Sequence, residues 1–186
     1  MHRNTRSPRL FAKVFMAVSL VCAAAASHAA LSKDEYHAAK DQAKAQYDKA
    51  MEACKPLKGN AHDVCKEQAK LDRTTATATA EAQYKNTPKA AYSARVDIAE
   101  AQYDLAKEKC DDKSGNDKDV CKKEAKAAYV TAKSDAKVKL KTRKAIDAAT
   151  DDQVDARYAT AKARCDALSG DAKDACQAKA KAEFGK

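Results

Sequence analysis

Six of the seven cysteines fall into three pairs of identical spacing: Cys54 and Cys65, Cys110 and Cys121, Cys165 and Cys176, each written C-x10-C. Thiols can hold a metal, exchange electrons or staple a fold, and the spacing separates these uses. Zinc sites present paired ligands a few residues apart, as in C-x2-C. The one histidine near a pair, His62, is replaced by Lys118 and Lys173 in the other two units. A ligand missing from two units of three is no ligand, so no metal is expected. Thiol–disulfide enzymes use C-x-x-C at a helix start, where the dipole lowers the thiol pKa, and that motif is absent here. Hydrolysis also lacks its parts. Beyond residue 29 only His37 and His62 remain, and there is no G-x-S-x-G, H-E-x-x-H or glycine-rich phosphate loop. The reading is three structural disulfides, no cofactor and no catalytic residue.

The elements that must position these cysteines are written in a repeat. "AQYDKAMEACKPLKGNAHDVCKEQAK" (45–70) returns as "AQYDLAKEKCDDKSGNDKDVCKKEAK" (101–126) and "ARYATAKARCDALSGDAKDACQAKAK" (156–181), offset by 56 and then 55 residues. Three copies of a supersecondary unit mark a repeat architecture. Each unit reads as two helices and a tight turn. Gly59, Gly115 and Gly170 are placed to end the first helix in the left-handed conformation. Asn60, Asn116 and Asp171 follow as N-caps of the second, with Asp63, Asp119 and Asp174 in its first turn. The two cysteines of each pair are equidistant from the turn, so an antiparallel hairpin sets them at one height, within the Cα separation of about 5.5 Å that a disulfide needs. The same reflection pairs Ala50 with Ala69, Ala106 with Ala125 and Ala161 with Ala180, a layer small enough for close backbone approach. Each staple closes about a dozen residues, worth about 3 kcal/mol in the chain-entropy model.

The staples are needed because the core is thin. Residues 30–186 contain 37 Ala but only 15 Leu, Ile, Val and Phe. So low an apolar fraction ordinarily signals disorder, but Ala, Lys, Glu and Gln are the strongest helix formers. The expected fold class is all-α: three tandem disulfide-stapled antiparallel helical hairpins over 30–86, 87–141 and 142–186, elongated or loosely bundled.

Several local signals refine this outline. Ser32 to Glu35 is a capping box opening the first helix. In "NTPK" (86–89), Thr87 caps and Pro88 takes the first helical position. A heptad-like stripe of Tyr92, Val96, Ala99, Tyr103, Ala106 and Cys110 runs onto the second staple, and Tyr36, Ala43, Tyr47, Ala50 and Cys54 echo it. "TDDQ" (150–153) is a capping box near the second junction, with nothing to forbid a helix running through it. "TTATAT" (74–79) is β-branched and expected to fray, and Pro56 should distort the first hairpin tip. Tyr47, Tyr103 and Tyr158, two turns below the cysteines, are packing residues or, with their hydroxyls, the lining of a groove between hairpins.

The N-terminus differs from the rest. Arg3, Arg6, Arg9 and Lys13 stand without an acid before an apolar run, "VFMAVSLVCAAAA" (14–26), and the small residues of "SHA". That is the order of a secretory signal peptide, expected over 1–29 with cleavage near Ala29. The run is too short for a retained membrane span, which needs about 20 apolar residues, and Val21 before Cys22 speaks against lipidation. Residues 30–186 then hold 32 basic and 27 acidic residues, net +5. Scattered basicity of this size does not predict specific nucleic-acid binding, which wants clustered cations. The six remaining cysteines suit an oxidising compartment.

In these phrases, "LSGDAKDACQAKAKA" (168–182) above all, the chain resembles small Ala/Lys-rich exported proteins of Gram-negative bacteria. Such proteins are in turn likened to the helical stalk of the Tol-system envelope protein. "CDALSGDAKDAC" also resembles phosphate-starvation-inducible repeat proteins, which space their cysteines differently. The resemblance implies a periplasmic or secreted location and transfers no catalytic residue. The expected function is a non-enzymatic structural or interaction protein of the cell envelope, meeting envelope partners through long helical faces. The alternative is a binding or stress-protective module for a metal, small ligand or unfolded proteins. Thin alanine-rich faces often need partners, a homo-oligomer among them.

Overall fold

The computed structural model describes residues 30–186; the expected signal segment, with Cys22, lies outside the described residues. Five helices follow in order: α1 (Lys33–Cys54), α2 (Gly59–Lys85), α3 (Pro88–Cys110), α4 (Gly115–Cys165) and α5 (Gly170–Phe184). Successive helices pack on one another and on no others. Hairpin 1 is α1–α2, hairpin 2 is α3 with the first part of α4, and hairpin 3 is the end of α4 with α5.

The starts of α1 and α3 follow from the local sequence. The Ser32 hydroxyl accepts from the Glu35 amide at 3.2 Å while the Ser32 amide donates to the Glu35 carboxylate at 2.8 Å. That bond holds the Glu35 carboxyl below the usual carboxylate range. Between α2 and α3 the chain turns sharply. Asn86 is left-handed (φ 44°), Thr87 caps α3 by accepting from the Ala90 amide, and Pro88 sits in the first turn.

The core is alanine and cystine. Twelve apolar side chains are buried: eight alanines, Cys54, Cys110, Cys165 and Leu105. None of the buried side chains among the described residues is polar. Packing here is backbone approaching backbone, which long side chains would prevent.

Two expectations are corrected here, and one question left open by the sequence is answered. The "TTATAT" stretch does not fray: it lies inside α2, where Ala78 is buried while the Thr77 hydroxyl donates back to the Arg73 carbonyl at 2.9 Å. Tertiary burial overrides the weak propensity of threonine. At the second junction, where the sequence left a continuing helix open, the helix does run through: α4 is unbroken for 51 residues. Thr150 does not cap; its hydroxyl donates to the Ile146 carbonyl at 2.9 Å, and no Gly or Pro interrupts the run between Asn116 and Cys165. Finally, Pro56 distorts nothing. Cys54, Cys110 and Cys165 each end their helix, so the position of Pro56 is outside a helix in all three units.

Candidate functional site

Each hairpin tip is the same small machine. Four residues (55–58, 111–114, 166–169) separate the two helices. The first stays right-handed and donates its amide three residues back, and the third donates its amide to the cysteine carbonyl: Leu57, Lys113 and Leu168 each do so at 3.0 Å. Gly59, Gly115 and Gly170 adopt φ of 55°, 52° and 55°, but they open the second helix instead of closing the first. The residues capping it are Lys58, Ser114 and Ser169, without a side-chain bond. Asn60, Asn116 and Asp171 are therefore one residue inside and do not cap. Asn60 instead donates its side-chain amide to the Glu108 carbonyl at 3.0 Å, tying the tips of hairpins 1 and 2 together. Asn116 and Asp171 are exposed.

Behind the turn, all three disulfides are formed, each with a Cα separation of 5.7 Å. The first cysteine of each pair is the last residue of its helix, the end whose dipole would raise a thiol pKa and not lower it. One turn further back lie the alanine pairs, of which Ala69 and Ala180 are buried and Ala50, Ala106, Ala125 and Ala161 half-buried. Two turns back stands the tyrosine of each unit.

The three tyrosines do not share a groove. Each spans its own hairpin to a residue 26 places on. Tyr47 lies under the Arg73 guanidinium at 5.0 Å, Tyr103 stacks on Tyr129 at 5.4 Å, and Tyr158 meets Phe184 at 6.2 Å. Positions 73, 129 and 184 correspond under the repeat, so Arg, Tyr and Phe fill one slot. The repeat alignment contained this signal, but it lay beyond the conserved-looking phrase and was not predicted. The slot closes a second clasp below the disulfide.

The substitution of His62 by lysine also has a structural meaning. Lys118 and Lys122 reach Asp111 at 3.0 and 2.8 Å, and Lys173 reaches Asp166 at 2.9 Å, bridging the tip from helix to helix. These bonds hold both carboxyls below their ordinary value. Hairpin 1 has Lys55 in place of that aspartate and His62 in place of the lysine. His62 lies 3.5 Å from the Asp63 carboxylate. Among the described residues no group of three His, Cys, Asp or Glu could hold a metal ion, and no helix is long and apolar enough to cross a membrane.

One further concavity is large. A groove of about 510 Å³ on hairpin 3 runs between the end of α4 and α5, with Ala161, Ala180 and Phe184 in its floor and Arg157 and Arg164 among its polar groups. No protein-family model, curated protein or solved structure matches the chain. What the residues themselves give is a small all-helical protein of stapled hairpins that offers helix faces.

Proposed function

We propose that this chain is an exported, non-enzymatic repeat protein of the cell envelope that works by presenting rigid helical surface to protein partners. One observation carries the reading: every cysteine of residues 30–186 is consumed in a hairpin-tip disulfide. Such staples persist in oxidising compartments and are rare in the cytosol. They leave no thiol for chemistry. The signal-peptide pattern of residues 1–29 and the resemblance to Ala/Lys-rich exported proteins support the same address. Fractionation of the producing cell, with intact mass of the recovered protein, tests it. The expected product starts near Ala30 and is six hydrogens lighter than the reduced chain. A cytosolic protein with free thiols would refute export.

A second reading, a binding module for a small anionic or amphipathic ligand, is favoured by the groove of hairpin 3 with Arg157 and Arg164 beside its apolar floor. A melting-temperature rise with a ligand, lost in R157A/R164A, would move the function there.

A further inference from the structure

The surface that joins hairpins 1 and 2 occurs a second time in this chain, uncovered. In the covered copy α2 packs antiparallel on α3. On α2, Val64, Leu71, Ala78 and Ala82, in steps of seven and four residues, lie on the side turned away from Cys65 and Ala69, which face α1, and all are buried or half-buried. On α3 the set is Ala94, Ala101 and Leu105, again buried or half-buried. Fifty-six residues on, the α2 set becomes Val120, Ala127, Ser134 and Val138 in the first part of α4. All four are exposed, Val120 at 43% and Val138 at 58%. Fifty-five residues on, the α3 set becomes Ala149, Ala156 and Thr160 in the second part, exposed as well. At 3.6 residues per turn both sets lie on one face of α4, opposite the face that carries Tyr129 and Ala136 against α3. Four of the seven exposed large apolar side chains are on α4, so this is where unburied surface concentrates.

The reason the two sets do not meet is a missing turn. Hairpin 2 folds back on hairpin 1 at Asn86-Thr87-Pro88. The corresponding residues are Thr142, Arg143 and Lys144, in the middle of α4, without a left-handed residue or a proline. Hairpin 3 is held away, and from residue 144 to 153 every side chain but that of Asp147 is exposed. Two complementary surfaces thus lie end to end on one rod.

We propose that a second copy of this chain covers them: two α4 helices pack antiparallel about a two-fold axis near residue 140. Hairpin 3 of each copy then docks on hairpin 2 of the other, as hairpin 2 docks on hairpin 1. A continuous helix replacing a turn is how domain-swapped dimers form. The register follows from the covered copy. There Asn60 reaches the Glu108 carbonyl; the same step brings Asn116 to the Ala163 carbonyl of the second copy. That register centres on the midpoint of α4, so one arrangement covers both halves at once. Away from the axis the flanking charges agree with it, while Lys137 and Lys141 of the two copies meet near the axis. Glu124 comes beside Arg157 and Asp117 beside Arg164 on one flank, and Lys123 comes beside Asp152 and Asp155 on the other, each pair made twice. A face about 75 Å long and about 10 Å wide hides roughly 750 Å² per copy, close to the roughly 800 Å² of a standard specific interface. The proposal does not depend on the envelope role.

Sedimentation equilibrium of the oxidised protein at tens of micromolar tests it. The expected mass is twice that of the protomer. V138K, at an exposed position near the axis, should give a monomer with unchanged helical circular dichroism. E124R and R157E should each weaken dimerisation by about tenfold or more, and E124R/R157E together should restore it. T142N/R143T/K144P, which writes the turn of residues 86–88 into α4, should give a compact monomer. A monomeric wild type overturns the proposal, as does a V138K dimer of unchanged affinity. A double charge variant no better than the singles overturns the register, and a turn variant that remains an elongated dimer overturns the swap.

Discussion

Removing the third staple should release α5 and little else. Cys165→Ala with Cys176→Ala opens a link of sequence separation 11, worth about 3 kcal/mol of constraint. What remains on α5 is small. The helix has 15 residues, near the length of about 12–15 at which an isolated helix is marginal in water. Its only buried side chain is Ala180, and half-burying Phe184 against Tyr158 yields about 1–1.5 kcal/mol. The staple therefore exceeds everything else that holds the helix down. Amide exchange across 170–184 should accelerate about a hundredfold, since about 1.4 kcal/mol is tenfold in an opening equilibrium. Exchange in α1, α2 and α3 should not change. The same double substitution at Cys110 and Cys121 removes a link of equal length, but α3 is packed between α2 and α4. Its cost should appear as a lower global unfolding free energy with no segment released. Mass-spectrometric hydrogen exchange reads both. If α5 of the Cys165/Cys176 variant stays protected to within a few-fold, the account of the staple as the main restraint on hairpin 3 is wrong.

Other consequences are smaller and separately measurable. Gly115→Ala meets nothing within 4 Å but keeps φ near 52°, so it should cost about 1–2 kcal/mol of backbone strain in chemical denaturation; a neutral result would mean the tip can relax. Pro56→Ala should be within about 0.5 kcal/mol of wild type, because that position lies outside a helix in every unit. Asp111 is held low by Lys122 and Lys118, so its contribution is complete above the ordinary carboxylate value of 3.8 and is lost as pH falls through the depressed folded value. A carboxyl-carbon NMR titration should show a midpoint below 3.8, moving up in K118A/K122A. The stacked Tyr103–Tyr129 pair should show a coupling of about 0.5–1.5 kcal/mol in a double-mutant cycle to leucine.

The staples were legible because a disulfide between antiparallel helices is a matter of counting, and C-x10-C can be counted from sequence. So were Ser32–Glu35 and Thr87–Pro88, where the chemistry that starts a helix is local. The tips were half legible. Glycine at a positive φ was foreseen, but whether it closes one helix or opens the next depends on how many residues two rods need to reverse, which no single residue declares. The persistence of α2 through its threonines depends on the burial of Ala78 and Ala80 against neighbouring helices, which the local sequence does not declare. The unbroken α4 was hidden for the opposite reason: the chain there contains weak start signals at 150–153 and no stop signal, and a start without a stop does not break a helix. The slot shared by Arg73, Tyr129 and Phe184 was missed because its residue type varies while its geometry does not.

Alanine seams explain why each hairpin carries both a disulfide and an aromatic or cationic clasp. Two helices that meet through leucines interlock, because large side chains fill specific holes in the facing surface. Methyl groups interlock weakly, so an alanine seam allows the helices close approach but lets them slide by a turn at small cost. Sliding by one turn would carry Ala69 away from Ala50 and leave much the same contact. It would not leave Cys54 opposite Cys65, nor Tyr47 under Arg73. The disulfide fixes height at the tip, and the clasp two turns below fixes rotation. A register set at the tip is inherited by the whole length of the pair, since helices are stiff over such distances. Correct placement of the faces beyond the tip, including the exposed face of α4, thus rests on a few covalent and aromatic contacts and not on a filled core.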